Sequence, residues 1–357
     1  MASVLGGVLA SGAARAVDLP EDQADAMYHL YDGGGVRASG PALLLRKIAG
    51  PGSITGTYYV DMVSNASIDV VTTASPYKET RNAYALGVDY VYQDSLLTVA
   101  GGTSREPDYT ANFVNFDVSQ DVFYGLTTVN LGFTRGSDDV RKTGDPGFSE
   151  TATHWRYRLG MTQIVTPRLM MSANLEAISD DGFLGSPYRV ARVFGAAVPE
   201  RVPSTRTSRA VKLRAIGDIG EGETRSSLRG EYRYFWDTWG ITAHTVGASY
   251  LRYLGNAWLA EASVRYYTQK AALFYSDNAS SETAYVTRNR QLGTFNSAAA
   301  GASLAYTVKQ VPGKYAVTLN ASYEFISFKY SDFTDIRTGN LYSFNANIAQ
   351  LFVSANF

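Results

Sequence analysis

Apolar and polar residues alternate with period 2 along almost the whole chain, in long segments. In 84–92, Tyr84, Leu86, Val88, Tyr90 and Tyr92 fall on one side and Asp89 on the other. Val129, Leu131 and Phe133 oppose Thr128, Asn130 and Thr134, and Trp155, Tyr157, Leu159 and Met161 oppose His154, Arg156 and Arg158. Leu228, Tyr232 and Tyr234 oppose Arg229, Glu231 and Arg233, while Trp258, Ala260, Ala262, Val264 and Tyr266 oppose Glu261, Ser263 and Arg265. Tyr315, Val317, Leu319, Ala321, Tyr323 and Phe325 oppose Thr318, Asn320, Ser322 and Glu324. Successive Cβ atoms of a strand point to opposite faces, so each segment is a ribbon with one apolar and one polar side.

A soluble sandwich also alternates, but its strands centre on about 5–6 residues, whereas these segments run about 10–15. Aromatic residues also stand at the ends of the apolar faces: Tyr84 and Tyr92, Trp155, Tyr234 and Trp236, Trp258 and Tyr266, Tyr315 and Tyr323. Tyr and Trp favour a membrane–water boundary, where one end is apolar and the other wet. The pattern predicts an all-β, antiparallel transmembrane β-barrel of the outer-membrane type. Hydrocarbon leaves no partner for a free backbone group, so the sheet must close.

Composition agrees. A net charge of −1 with no basic block argues against nucleic acid, and 45 % apolar residues argue against disorder. The absence of cysteine removes disulfides, Cys-ligated metals and thiol chemistry. No cofactor or metal centre is expected.

Connection lengths give the topology. Short turns near 49–52, 93–95, 121–124, 165–167, 218–222, 254–256 and 309–313 alternate with long connections near 64–79, 137–149, 179–205, 270–291 and 328–340. Two tight reversals, Glu106-Pro107-Asp108 and Asp237-Thr238-Trp239-Gly240, fall where external loops are due. This yields fifteen strands, an odd number that a bacterial single-chain barrel does not use. A short first strand at 23–32, followed by Gly33, Gly34 and Gly35, restores parity, giving about 16 strands with 14 as the fallback.

Residues 1–16 are small and apolar and end Ala14-Arg15-Ala16, like the remnant of a signal peptide; 17–357 then form one barrel domain. Export through that peptide to the bacterial outer membrane is the expectation. At the other end, Ala349, Leu351, Val353, Ala355 and Phe357 share one face. Leu351, Val353, Ala355 and the terminal Phe357 resemble the signal that outer-membrane barrel insertion machinery recognises.

The stretches YDGGGVRASGP (31–41), YYVDMVSNASIDVVTTASPYKETRN (58–82), SDDVRKTGDPGF (137–148), SDDGFLGSPYR (179–189), EYRYFWDTWGITAHT (231–245) and YYTQKAALFYSD (266–277) resemble the Gram-negative family known as domain of unknown function 3570. The resemblance implies an exported outer-membrane barrel with no assigned substrate, and loosely a periplasmic redox or lipoprotein partner.

With the apolar faces toward lipid, Arg156, Arg158, Lys212, Arg214, Arg229, Arg233 and Arg265 point inward, as do Asp89, Asp117, Glu176, Glu231, Glu261 and Glu324. Among these inward residues, those between 154 and 234 are six cations and two acids. Such a lining favours anions in a water-filled passage, although a merely salt-bridged wall has the same composition. Ile68, Val70 and Val71 in 64–79 are apolar enough to fold inward as a plug or to extend the wall. The acidic pairs Asp138-Asp139 and Asp180-Asp181 are assigned to external loops, where they serve turns or join the divalent-ion network of surface lipopolysaccharide.

Catalysis is weakly supported. The three histidines are His29, His154 and His244; Asp138, Asp139 and His154 share a rim, and no Gly-x-Ser-x-Gly elbow occurs. Met161, Met170 and Met171 are a poor soft-metal set, because neighbours on a strand face opposite sides. The expected function is a porin-like or substrate-specific passive channel for small polar or anionic solutes. The alternatives are a non-conducting scaffold docking a periplasmic redox or lipoprotein partner and, more remotely, a rim hydrolase. Outer-membrane lipids and lipopolysaccharide are expected partners.

Overall fold

The computed structural model describes residues 19–65, 67, 77–220 and 225–357. The stretch 1–16 and the apolar residues Ile68, Val70 and Val71 lie outside the described residues.

Sixteen strands form one closed antiparallel barrel. They are β1 (Gln23–Gly33), β2 (Val36–Ala49), β3 (Gly52–Asn65), β4 (Tyr77–Tyr92), β5 (Ser95–Arg105), β6 (Tyr109–Val122), β7 (Thr127–Arg141), β8 (Ser149–Thr166), β9 (Leu169–Gly182), β12 (Thr205–Asp218), β13 (Ser226–Asp237), β14 (Thr242–Leu254), β15 (Trp258–Gln269), β16 (Phe295–Val311), β17 (Tyr315–Thr334) and β18 (Leu341–Asn356). A separate hairpin, β10 (Val190–Val193) with β11 (Ala196–Pro199), stands in the connection between β9 and β12. The short strand inferred from parity is β1. The turn after it carries Gly34 and Gly35, both at positive φ (60° and 79°), a backbone that a tight hairpin needs and that glycine adopts without strain.

The wall closes where β1 pairs with β18, from Gln23↔Asn356 to Gly33↔Ala346. All 11 residues of β1 are also paired with β2. At the end where β1 begins and β18 finishes, the Phe357 N–H donates to the Asp22 carbonyl at 3.0 Å, while the Asp22 carboxylate accepts from the Ile48 N–H and from Lys47.

Apolar faces point outward. Tyr84, Leu86, Val88, Tyr90 and Tyr92 are all exposed, as are Leu131, Leu159, Leu175 and Leu213. Leu351 and Val353 are exposed on β18, and Phe357 follows them at the chain end. Tyr84 and Tyr92 are eight residues apart, about 26 Å of strand, commensurate with the apolar band of a membrane barrel. One end of the barrel carries the turns at 50–51, 93–94, 123–126, 167–168, 255–257 and 312–314 and the residues 219–220 and 225 that follow β12 and precede β13; the other carries the long connections. The second end is extracellular by the usual asymmetry of such barrels.

Three long loops are shorter than the sequence implies. β7 continues to Arg141, β9 to Gly182 and β17 to Thr334, so parts of 137–149, 179–205 and 328–340 belong to the wall. A membrane requires about 9–11 residues of strand, and β17 has 20. Beyond the bilayer both faces meet water, so the hydrogen-bonded ladder persists while the alternation that reveals it fades.

Lys47 chiefly, and then the Ile48 amide, hold the Asp22 carboxyl below the usual carboxylate range. A lowered pKa contributes stability that is present above the unfolded value and is lost as pH falls through the folded one. Asp22→Asn is therefore expected to lower the temperature at which the barrel unfolds in heat-modifiability gels at neutral pH. In strong acid, below the folded-state pKa, mutant and wild type should converge.

Candidate functional site

The polar faces meet inside the cylinder. Arg158 contacts Asp117 at 2.8 Å, Lys212 contacts Glu231 at 2.9 Å, and Arg265 contacts Glu324 at 3.0 Å. Arg214 lies 3.5 Å from Glu231, Arg156 and Arg233 each lie 3.7 Å from Glu176, and Arg229 lies 3.8 Å from Glu261. Several of these pairs skip a strand, such as Arg158 on β8 with Asp117 on β6 and Arg265 on β15 with Glu324 on β17, a reach that the concave inner surface permits. Asp89 instead accepts from Ser53 at 2.8 Å and Thr98 at 2.7 Å. All thirteen charged residues assigned to the interior thus face it.

Two features of this lining matter chemically. The paired side chains remain 27–48 % exposed, so they border open space inside the cylinder that water can enter. Glu176 and Glu231 each serve two cations, which leaves a positive surplus on the β8–β13 arc. Further carboxylates line the rest of the wall. Asp25 on β1 accepts from Ser354, Asp61 on β3 from His29 and Arg81, and Asp121 on β6 from Thr128. Asp117, Asp121 and Asp138 adjoin the cationic arc, on β6 and β7, whereas Asp25, Asp61 and Asp89 stand farther around the wall on β1, β3 and β4, with Arg46 and Arg81 among them.

The acidic doublets lie in strands, not in loops, and this corrects the sequence assignment. Strand geometry splits each doublet between faces: Asp138 and Asp180 turn inward, and Asp139 and Asp181 outward. His154 is held between the inward two, with Nε2 2.9 Å from Asp138 and Nδ1 2.7 Å from Asp180. The Tyr109 hydroxyl donates to the same Asp138 carboxylate. Both ring nitrogens of His154 are occupied, so the ring has no free position to activate a water. His244 faces outward against the Tyr232 hydroxyl at 2.8 Å. Met161 and Met171 are exposed on the outer side, apart from Met170.

A second buried polar group lies on β1, β3 and β4. His29 Nε2 meets Asp61 at 2.7 Å and the Tyr59 hydroxyl at 3.0 Å, and Arg81 binds the other Asp61 oxygen. The His29 ring stacks on Tyr59 with centroids 4.6 Å apart. Gly40, opposite His29, is required by close approach, because a Cβ there would fall 2.0 Å from the Val60 carbonyl oxygen.

The extracellular end is partly roofed. Connections 183–204, 238–241 and 270–294 pack around Trp239, Ile241, Ala272 and Leu292, with Leu184, Val202 and Phe274 against them. Arg201 and Val286 exchange backbone hydrogen bonds of 2.8 and 3.0 Å. The segment at 288–290 reaches the inner aromatic face of β17 and β18. The Arg288 guanidinium lies 4.3 Å from the Phe333 ring centre, pairs with Asp277 at 2.6 Å and donates to the Thr334 carbonyl. Arg290 lies 5.2 Å from the Phe344 ring and 5.5 Å from Tyr342. Sequence reasoning missed this contact. Its signal was an inner face that turns aromatic near the top, at Phe328, Tyr330, Tyr342 and Phe344.

The fold and the wet charged bore define an outer-membrane-type transmembrane barrel. The chain belongs to the family described as protein of unknown function (DUF3570), whose model matches residues 10–325. No curated protein matches it significantly. Among solved structures it is similar to a bacterial polysaccharide outer membrane secretin at 8 % identity, with a TM-score of 0.54 over 95 % of this chain and 99 % of that one. It is also similar to CdiB from Acinetobacter baumannii at 7 % identity and TM-score 0.50, covering 94 % of this chain and 60 % of that one. At such identities the likeness is one of fold.

The two polar clusters should differ in what they contribute. Asp61→Ala strands the buried His29 and takes one partner from the partly exposed Arg81, and is expected to cost about 3 kcal/mol, the lower end for breaking a buried pair. Glu231→Gln acts on half-exposed partners and should cost less than about 1 kcal/mol. Urea unfolding of the refolded barrels in vesicles measures both.

Proposed function

We propose that this protein is a porin-like passive channel of the bacterial outer membrane for small polar or anionic solutes. The observation that carries this reading is the half-exposed charged lining, with its cation surplus on the β8–β13 arc. Water-accessible fixed charge in a narrow low-dielectric bore raises the local concentration of counter-ions and selects among solutes by sign. In this reading Arg156, Arg158, Lys212, Arg214, Arg229, Arg233 and Arg265 line the path for anions. The carboxylates Asp89, Asp117, Glu176, Glu231, Glu261 and Glu324 hold them extended and keep the wall wet. Transport needs no chemistry, only entry beside the roof formed by 183–204 and 270–294 and diffusion along this lining. Export uses the N-terminal segment, and Leu351, Val353, Ala355 and Phe357 serve as the insertion signal.

Conductance of the purified full chain in planar bilayers tests the proposal. Stepwise ion flow with anion preference is expected. The double substitution of Arg229→Ala with Arg233→Ala should shift the reversal potential toward cations, because Glu261 then loses its partner and Glu176 keeps only Arg156. A sealed bilayer would overturn the reading, and a periplasmic protein co-purifying with it would favour the scaffold alternative.

A further inference from the structure

The lipid-facing side of β7, β8, β9, β12 and β13 carries two arginines at the height of the outer aromatic girdle. Neighbouring outward positions are ordered by the register. Leu131, Leu159, Leu175, Val211 and Tyr234 form one row. Above it, toward the extracellular end, lie Phe133, Tyr157, Ala177, Arg209 and Trp236. Above that are Arg135, Trp155, Ser179 and Thr207. Arg135 and Arg209 therefore sit one or two rows above continuous aliphatic surface, where hydrocarbon gives way to headgroups.

Both arginines are exposed. The Arg135 guanidinium lies 4.9 Å from the Trp155 ring centre, which orients it along the wall. Among the described residues neither arginine forms an ion pair; the outward carboxylates Asp139 and Asp181 stand in rows nearer the rim. This contrasts with the bore, where every assigned cation has a carboxylate. Between the two arginines the surface is low: Ala177, Ser179 and Thr207 make a shallow floor flanked by Trp155 and Tyr157 on one side and Trp236 on the other.

An unpaired guanidinium at a membrane boundary attracts a headgroup phosphate, which it binds bidentately. Arg135 and Arg209 are separated by three strand spacings and one row, about 16 Å of backbone. That is too far for one phosphate and fits two phosphates on one carbohydrate headgroup, whose sugar rings would lie over the small floor against the flanking aromatics. We propose that this patch is a binding site for a bis-phosphorylated glycolipid of the outer leaflet. The site is independent of whether the bore conducts.

The test uses the full chain in detergent and bis-phosphorylated lipid A as probe, with retention measured by native mass spectrometry. Wild type should retain this lipid at least tenfold better than monophosphorylated lipid A or phosphatidylcholine. The double substitution of Arg135→Ala with Arg209→Ala should remove the preference, and Arg135→Lys with Arg209→Lys should restore part of it. Arg252→Ala, which removes an exposed cation near the opposite end of β14, should leave it unchanged, and heat-modifiability gels confirm that each variant is folded. Equal retention of the two lipid A forms, unchanged retention in the double alanine variant, or equal loss in Arg252→Ala would overturn the proposal. So would displacement of the lipid by inorganic phosphate at matched concentration, which would assign the arginines to a free anion.

Discussion

Closure of the sheet is the constraint on which the rest depends. A strand edge in hydrocarbon leaves a row of N–H and C=O groups without partners, each costing several kcal/mol. β1 meets this demand by pairing with β2 and β18 over its whole length. Once the cylinder is shut, side-chain direction follows from parity alone. One set of residues faces lipid and must be apolar; the other faces an enclosed volume and is free to be charged. The ion pairs of the bore, the outward aromatic rows and the split of each acidic doublet are consequences of that single closure.

The barrel was legible in the sequence because its defining pattern is local. Alternation in 84–92, 154–161 and 258–266 needs no tertiary information, and an odd count of fifteen by itself points to 23–32 as the missing strand. The inward residues were legible for the same reason: parity assigns Arg158 or Glu231 to a face without knowing its partner. The partners were not legible. Nothing in the spacing tells that Arg265 reaches over β16 to Glu324, or that two acids divide four cations.

The extracellular third was harder for a physical reason. Where β7, β9 and β17 rise above the membrane, water touches both faces and the hydrophobic period loses its cause. The doublets at 138–139 and 180–181 then look like turn residues although they are strand. The roof was hidden too, since its contacts join residues far apart in the chain, such as Arg201 with Val286 and Arg288 with Phe333. The inner aromatics of β17 and β18 read as ordinary strand residues until the 270–294 segment is seen to cover them.

In the channel reading, the clustering of cations on the β8–β13 arc beside the carboxylates of β6 bears on more than ions. Neighbouring arcs of opposite sign exert a torque on any solute that has a dipole. A zwitterion at this section would be turned along the wall, its carboxylate toward Arg156 and Arg233 and its ammonium toward Asp89 and Asp117, which lie in the ladder row of Arg158. Its tumbling would be frozen before it moved on. Two solutes of equal size and zero net charge would then pass at different rates according to how far apart they carry their charges.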